Sequence, residues 1–231
     1  MDSPVKRIPV RDTNCYLLEG SSGVVLIDPG PPGGGPELTA QVAATGIQPE
    51  DVRLILITHG HLDHYGAARV VKAWCGAPIA ASPGAPEFSR DPRNALPPSQ
   101  TLRGSVIRQF YLLLSPLVRA EPLVADLAMD EGDSLASFGV DAQLIRLPGH
   151  APGSLGLVTA EGDVVVGDLF VNYTVPSQPI YLSDRKAWQA SCEQVRALQP
   201  RTVCPGHGEP FPGSRLARIY PPRYQLRWWV R

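Results

Sequence analysis

The chain has five histidines, and three of them fall within one short stretch, Thr58-His59-Gly60-His61-Leu62-Asp63-His64. The other two each sit in a Pro-Gly turn, Pro148-Gly149-His150 and Pro205-Gly206-His207-Gly208. Three imidazoles and a carboxylate this close cannot all face one way on a strand or a helix. In a loop at the end of a strand they can converge on two neighbouring points. Imidazole and carboxylate donors without a thiolate suit zinc, iron or manganese. Asp168, after the apolar run Val164–Gly167, offers a further carboxylate at a sheet edge. A single His in a Gly-rich turn is most often an ordinary hydrogen-bonded loop residue. Here every His of the chain lies at the end of an apolar run and none is used elsewhere, so a metal centre is expected.

Those positions require elements to hold them. Short apolar runs at 15–18, 24–27, 54–57, 79–81, 144–147, 155–158, 164–166 and 202–204 are bounded by Gly, Pro, Asp or Asn and read as buried strands. Residues 36–45, 65–75 and 185–198 read as helices, the first two ending at a glycine. Alternating strands and helices of this length predict an α/β protein with helices covering sheets. VVLIDPG (24–30) resembles VVVGDLF (164–170), and LILITHGH (54–61) resembles TVCPGHG (202–208), so two similar halves meeting at one seam would bring the acidic and imidazole groups together.

Residues 84–130 interrupt this rhythm. A Pro-rich connection leads into 105–118, where Val106, Phe110, Leu113, Leu114 and Leu117 form a helical stripe. The stripe is expected either to pack on the domain or to form a lid-like wall over a site. The whole chain, 1–231, is read as one domain carrying this insertion. Its last residues, YPPRYQLRWWVR, are aromatic and basic.

Composition narrows the classes. The chain has 231 residues, 21 Lys plus Arg against 22 Asp plus Glu, and a net charge of −1, which argues against a nucleic-acid partner. The 22 Gly and 25 Pro serve many turns between short elements. The four Cys form no CxxC pair and read as packing residues. No apolar run approaches the roughly 20 residues of a membrane span, and MDSPVKR lacks the apolar core of a signal peptide, so a cytoplasmic location is expected. GPPGGGP (30–36) lacks the Lys of a phosphate-binding loop, and PGSLG (152–156) is not a nucleophile elbow, so no side-chain nucleophile is evident.

The motif His-x-His-x-Asp-His, then a Pro-Gly-His turn, a Gly-Asp after a strand and a final Pro-Gly-His-Gly resembles the metallo-β-lactamase superfamily. The resemblance runs from Asn14-Cys15-Tyr16 and Leu26-Ile27-Asp28-Pro29-Gly30 to His207. It implies a four-layer αββα sandwich, two mixed β-sheets flanked by helices, with metals at one edge. It also implies that His59, His61 and His150 bind a first ion, that Asp63, His64 and His207 bind a second, and that Asp168 bridges them. Asp28 corresponds to an acid that orients the His-rich loop, its alternative being a plain turn residue.

Two divalent ions, zinc first and iron or manganese next, would activate a water between them for attack on a carbonyl. Asp63 would relay a proton to the leaving group. Asp168 stands where the best-known zinc β-lactamases place Cys, and His61 stands where flavodiiron proteins place Glu, which leaves the glyoxalase II-like, lactonase-like and persulfide dioxygenase-like branches. The chain reads GDLFVNYTVPSQP where glyoxalase II and the persulfide dioxygenases carry a GCGR-type segment, which disfavours glutathione thioesters. Tyr173 loosely matches a tyrosine of acyl-homoserine lactonases that would bond a substrate carbonyl. The expected function is hydrolysis of a small-molecule ester, lactone or thioester with an apolar acyl part. The alternative is a mononuclear iron enzyme of the persulfide dioxygenase kind. A homodimer is compatible with both.

Overall fold

The computed structural model describes residues 3–85, 99, 102–114 and 124–219. A first sheet runs in the order β1 (Val5–Val10), β2 (Thr13–Glu19), β3 (Val24–Ile27), β4 (Val52–Leu56), β5 (Ile79–Ala81), β6 (Leu127–Ala128). A second has the order β11 (Phe211–Pro212), β10 (Thr202–Gly208), β9 (Asp163–Asn172), β8 (Leu155–Thr159), β7 (Ala142–Arg146). Both are mixed. β3, β4 and β5 are parallel neighbours in the first, and β9 and β10 in the second, with antiparallel strands beside them.

Alternation along the strands sorts apolar side chains into three cores. Val25 and Ile27 of β3, Leu54 and Leu56 of β4, and Leu157 and Val165 of the second sheet meet between the sheets. Val24 and Leu26 point the other way and pack with Leu38 and Val42 of α1 (Gly35–Ala44) and Val71 of α3 (Ala68–Cys75). Val164 and Val166 face Trp188, Cys192 and Val195 of α5 (Arg185–Ala197). The layers are therefore helix, sheet, sheet, helix, as expected. No helix among the described residues is long and apolar enough to cross a membrane.

The expected helix 65–75 is divided. A single turn, α2 (Leu62–Tyr65), precedes α3, and the chain between them is pinned where Gly30 N donates to the His64 carbonyl and Ala67 N donates to that of Gly30. The expected helix 105–118 is α4 (Leu102–Leu114), and Leu117 lies outside the described residues, as do the C-terminal residues 220–231 and most of the Pro-rich connection. Its stripe does not pack on the core, because Val106, Phe110 and Leu113 are 63%, 63% and 74% exposed. Ile107 and Tyr111, one position along, face a cavity instead. Of the four cysteines, Cys15, Cys192 and Cys204 are buried and Cys75 half-buried, and all are unpaired with one another.

Candidate metal centre

The seven expected ligands come together beyond the end of β4, beside Asp168 within β9, His207 near the end of β10 and His150 in the connection from β7 to β8. In one group, His59 Nε2 and His150 Nε2 lie 3.1 and 2.8 Å from His61 Nδ1, and Asp168 Oδ2 is 3.3 Å from His150 Nε2. In the other, Asp63 Oδ2 is 3.2 Å from His207 Nε2 and 3.7 Å from His64 Nε2. Asp168 stands between the groups, with Oδ1 3.4 Å from His64 Nε2 and Oδ2 3.4 Å from His207 Nε2. Asp63 is half-exposed and the other six are buried.

Four of the five rings are oriented from behind. The Asp28 carboxylate accepts from the Thr58 amide at 2.8 Å and from the Thr58 hydroxyl at 2.6 Å, fixing the residue before His59. With its proton given to Asp28, the Thr58 oxygen accepts from His59 Nδ1 at 2.9 Å. His64 Nδ1 donates to Asp28 Oδ2 at 2.9 Å, His150 Nδ1 to the Tyr181 carbonyl at 2.9 Å, and His207 Nδ1 to the Asp12 carbonyl at 2.7 Å. In all four Nδ1 carries a proton and Nε2 is turned inward, the edge that a metal ligand presents.

The turns carrying the later ligands are also fixed. Gly149, at φ 128°, lets its backbone lie where a Cβ would come within 2.3 Å of the Trp188 backbone. The Trp188 indole donates to the Leu169 carbonyl. Asn14 and Tyr16 of β2 reach across to the Pro205 carbonyl at 2.8 and 2.7 Å, tying the final turn to the first sheet. At Gly206 a Cβ would lie 2.3 Å from Asp168 Oδ1 and 2.6 Å from His64 Cε1, so only glycine leaves room for the ligands there.

Electrostatically the site attracts positive charge. Burial pulls the His59 imidazole well down, aided by His64 and His61, and pulls His150 down to about 4. Burial would lower His64 too, but the Asp168, Asp63 and Asp28 carboxylates outweigh it and raise it to about 10. His207 rises in the same way beside Asp168 and Asp63. Burial acts to raise both Asp63 and Asp168, yet the surrounding imidazoles hold them below the usual carboxylate range.

The donor set fits a metal. His59 and His150, neutral and protonated on Nδ1, direct two lone pairs at His61 Nδ1, which can offer at most one proton. His64 Nε2 and Asp168 Oδ1 are buried and facing, with no hydrogen-bond partner among the described residues. At 3.4 Å they form a long ion contact without hydrogen-bond geometry, and a cation between them would engage both. Among the described residues, His59, His61, His150 and Asp168 form one group able to hold an ion, and Asp63, His64 and His207 another.

A cavity of about 320 Å³ opens on this cluster. Ile107 and Tyr111 of α4, with Ile180 and Tyr181, form its apolar wall. Tyr173 lines it too, but its hydroxyl is spent on Asp12 Oδ2 at 2.8 Å, and its ring stacks on His207 with centroids 6.1 Å apart. Burial, reinforced by Asp12 against the opposing His207, pushes this phenol up to about 12, so it remains a donor. Asp12, Thr58, Tyr111 and Tyr181 are the contributors that sequence reasoning missed. The one signal for any of them was Thr58, adjacent to the His-rich motif.

A family model described as the metallo-beta-lactamase superfamily matches residues 8–207. The chain is 27% identical over 212 residues to the probable metallo-hydrolase MJ0888 of Methanocaldococcus jannaschii, covering 90% of this chain and 92% of that one. It is 28% identical over 170 residues to the hydroxyacylglutathione hydrolase GloC of Haemophilus influenzae, covering 71% of each. Among solved structures, TTHA1623 in a di-iron-bound form is similar at a TM-score of 0.66 and 28% identity, with 94% of this chain and 98% of that one covered.

Proposed function

The chain belongs to the metallo-beta-lactamase superfamily, and from that premise we propose that it is a dinuclear metal-dependent hydrolase of an ester, lactone or thioester with an apolar acyl part. The observation that carries this reading is the inward convergence of ring nitrogens on both sides of Asp168, four of the five rings being held from behind by a partner at Nδ1. His59, His61 and His150 would hold one ion and Asp63, His64 and His207 the second, with Asp168 shared. Bound there, two divalent ions supply Lewis acidity toward a carbonyl and acidify water.

The chain's own groups do the rest. Ile107, Tyr111 and Ile180 hold the acyl part and keep bulk water from it. Asp63 is the one ligand with a half-exposed side chain, and it lines the cavity. It takes the proton lost by the attacking water and passes it to the leaving oxygen or sulfur as the bond to the acyl carbon breaks. The nitrogen and oxygen donors, without thiolate, suit zinc first. The di-iron form of TTHA1623 makes iron the other metal to test for.

The test is metal identity and stoichiometry by mass spectrometry on protein purified without chelators or a His tag, followed by assays on esters, lactones and thioesters. About two ions per chain and hydrolysis are expected, and Asp168→Ala should lose metal and activity together. Activity retained by Asp168→Ala would overturn the shared role of that carboxylate. Close to one iron per chain, with oxygen uptake on persulfides, would overturn the hydrolase reading.

A further inference from the structure

Resting on the hydrolase reading, we propose that the Asp12 carboxylate selects against negatively charged leaving groups, so that the substrates are esters, lactones or thioesters whose leaving half is neutral or cationic. Asp12 lies in the turn between β1 and β2, after Arg11 at φ 54°. Its carbonyl receives the His207 Nδ1 proton, which fixes the turn against the Asp63–His207 side of the cluster. Its carboxylate is 74% exposed, lines the cavity, and stands with Oδ2 3.7 Å from His207 Nδ1. The Tyr173 hydroxyl donates to that same oxygen, which places the charge at the mouth of the cavity. The neighbouring cation, Arg11, is tied to the Pro32 carbonyl at 2.9 Å and does not line the cavity.

The two ends of the cavity therefore differ. Tyr181, whose carbonyl holds His150, marks an apolar end with Ile180 and Ile107, whereas Asp12 and Tyr173 mark an acidic end beside His207. A substrate whose labile bond lies at the cluster places one half at each end. Its apolar half suits the first, and its other half comes under the Asp12 charge. The charge of two divalent ions would be largely offset by Asp28, Asp63 and Asp168 around them, and Asp12 adds a fourth carboxylate at the rim. An anionic leaving half meets repulsion there that a neutral one does not, and salt screens that repulsion. In the reaction itself water adds oxygen to the acyl carbon, the carbon–sulfur or carbon–oxygen bond breaks, and the departing atom takes the proton.

The experiment compares the butyryl thioesters of glutathione, whose leaving half is anionic, and of N-acetylcysteamine, whose leaving half is neutral, with the zinc- or iron-loaded full chain. The neutral thioester should have a kcat/KM about tenfold higher at low salt, and the gap should narrow in 0.5 M sodium chloride and in Asp12→Asn, whose amide oxygen still accepts from Tyr173. In parallel, calorimetry on wild-type protein should show S-butyl-N-acetylcysteamine binding about tenfold more tightly than S-butylglutathione. Equal or reversed preference, or a ratio unchanged by salt, would overturn the selection while leaving the hydrolase reading standing. Failure to hydrolyse either thioester counts against thioester hydrolysis alone, and the thioether affinities then decide the selection: a preference for the neutral thioether supports it and equal affinities overturn it.

Discussion

The Asp28 carboxylate accepts the Nδ1 proton of His64 at 2.9 Å while its backbone sits at φ 52°, in a region that residues with a side chain seldom occupy. The same carboxylate takes two hydrogen bonds from Thr58. One acid just past the end of β3 thus sets the direction of His64 and of the residue that orients His59. Unusual backbone held by surrounding hydrogen bonds is typical of residues placed for function.

Removing that acid tests how far the ligands depend on it. In Asp28→Ala the Thr58 amide, the Thr58 hydroxyl and His64 Nδ1 lose their acceptor together, and the left-handed backbone becomes strained. Metal affinity, measured by competition with a chromophoric chelator, should fall about 10–100-fold. Asp28→Asn tolerates the backbone, but its carboxamide has one acceptor oxygen for three donors, so it should recover only part of the loss. Full recovery in Asp28→Asn would mean that the charge and the second oxygen are dispensable.

How much of this was legible follows from where the information lies in the chain. His59 to His64, His150, Asp168 and His207 stand in short contiguous motifs at the ends of apolar runs, so local sequence carries their type and their position. The likeness of 24–30 to 164–170 also has a physical counterpart, because β3 with β4 and β9 with β10 are parallel pairs, Asp28 following the end of β3 and Asp168 lying within β9. Strand β1 was not legible, since Val5–Val10 carries Lys6, Arg7 and Pro9, which an edge strand tolerates and a central one does not. The two-residue strands β6 and β11 are too short to leave a pattern. Asp12 was missed because its partner His207 is 195 residues away and a polar residue in a hairpin turn has an ordinary local explanation. On α4 the strongest apolar stripe faces outward, and the wall of the cavity is made by Ile107 and Tyr111 beside it, a choice set by tertiary placement and invisible to periodicity.

Gly206 separates the fold from the site. Its φ lies outside the left-handed region, so alanine is acceptable to the backbone. The added methyl would nonetheless meet Asp168 Oδ1 and His64 Cε1, at 2.3 and 2.6 Å, and both are buried groups of the proposed metal centre. Gly206→Ala should still unfold cooperatively, with its Tm lowered by about 3–10 °C, while bound metal per chain falls at least twofold from the wild-type content. Mass spectrometry and thermal unfolding on the same preparation check both. Full metal content in the variant would show that Asp168 and His64 need not approach this closely.

Away from the site, Asp163 predicts an acid limit to stability. Its side chain is fully buried, yet Arg201 Nε and Nη2 donate to it at 3.0 and 2.5 Å and the Ser3 hydroxyl at 2.6 Å. Burial acts to raise its pKa, but these hydrogen bonds outweigh it and hold the carboxyl below its ordinary value. A depressed folded-state pKa means the contribution is complete above the ordinary carboxylate value of about 4 and is lost as pH falls through the lower, folded value. Asp163→Asn should therefore unfold more easily than the wild type at pH 7, by about 1–3 kcal/mol once the solvent around half-exposed Arg201 is allowed for. The gap should shrink as pH falls below about 4, because the wild type loses the same charge. Denaturant unfolding of both proteins across pH 3 to 7 reads this directly, and a gap that stays constant through that range would show that the Asp163 charge does not contribute.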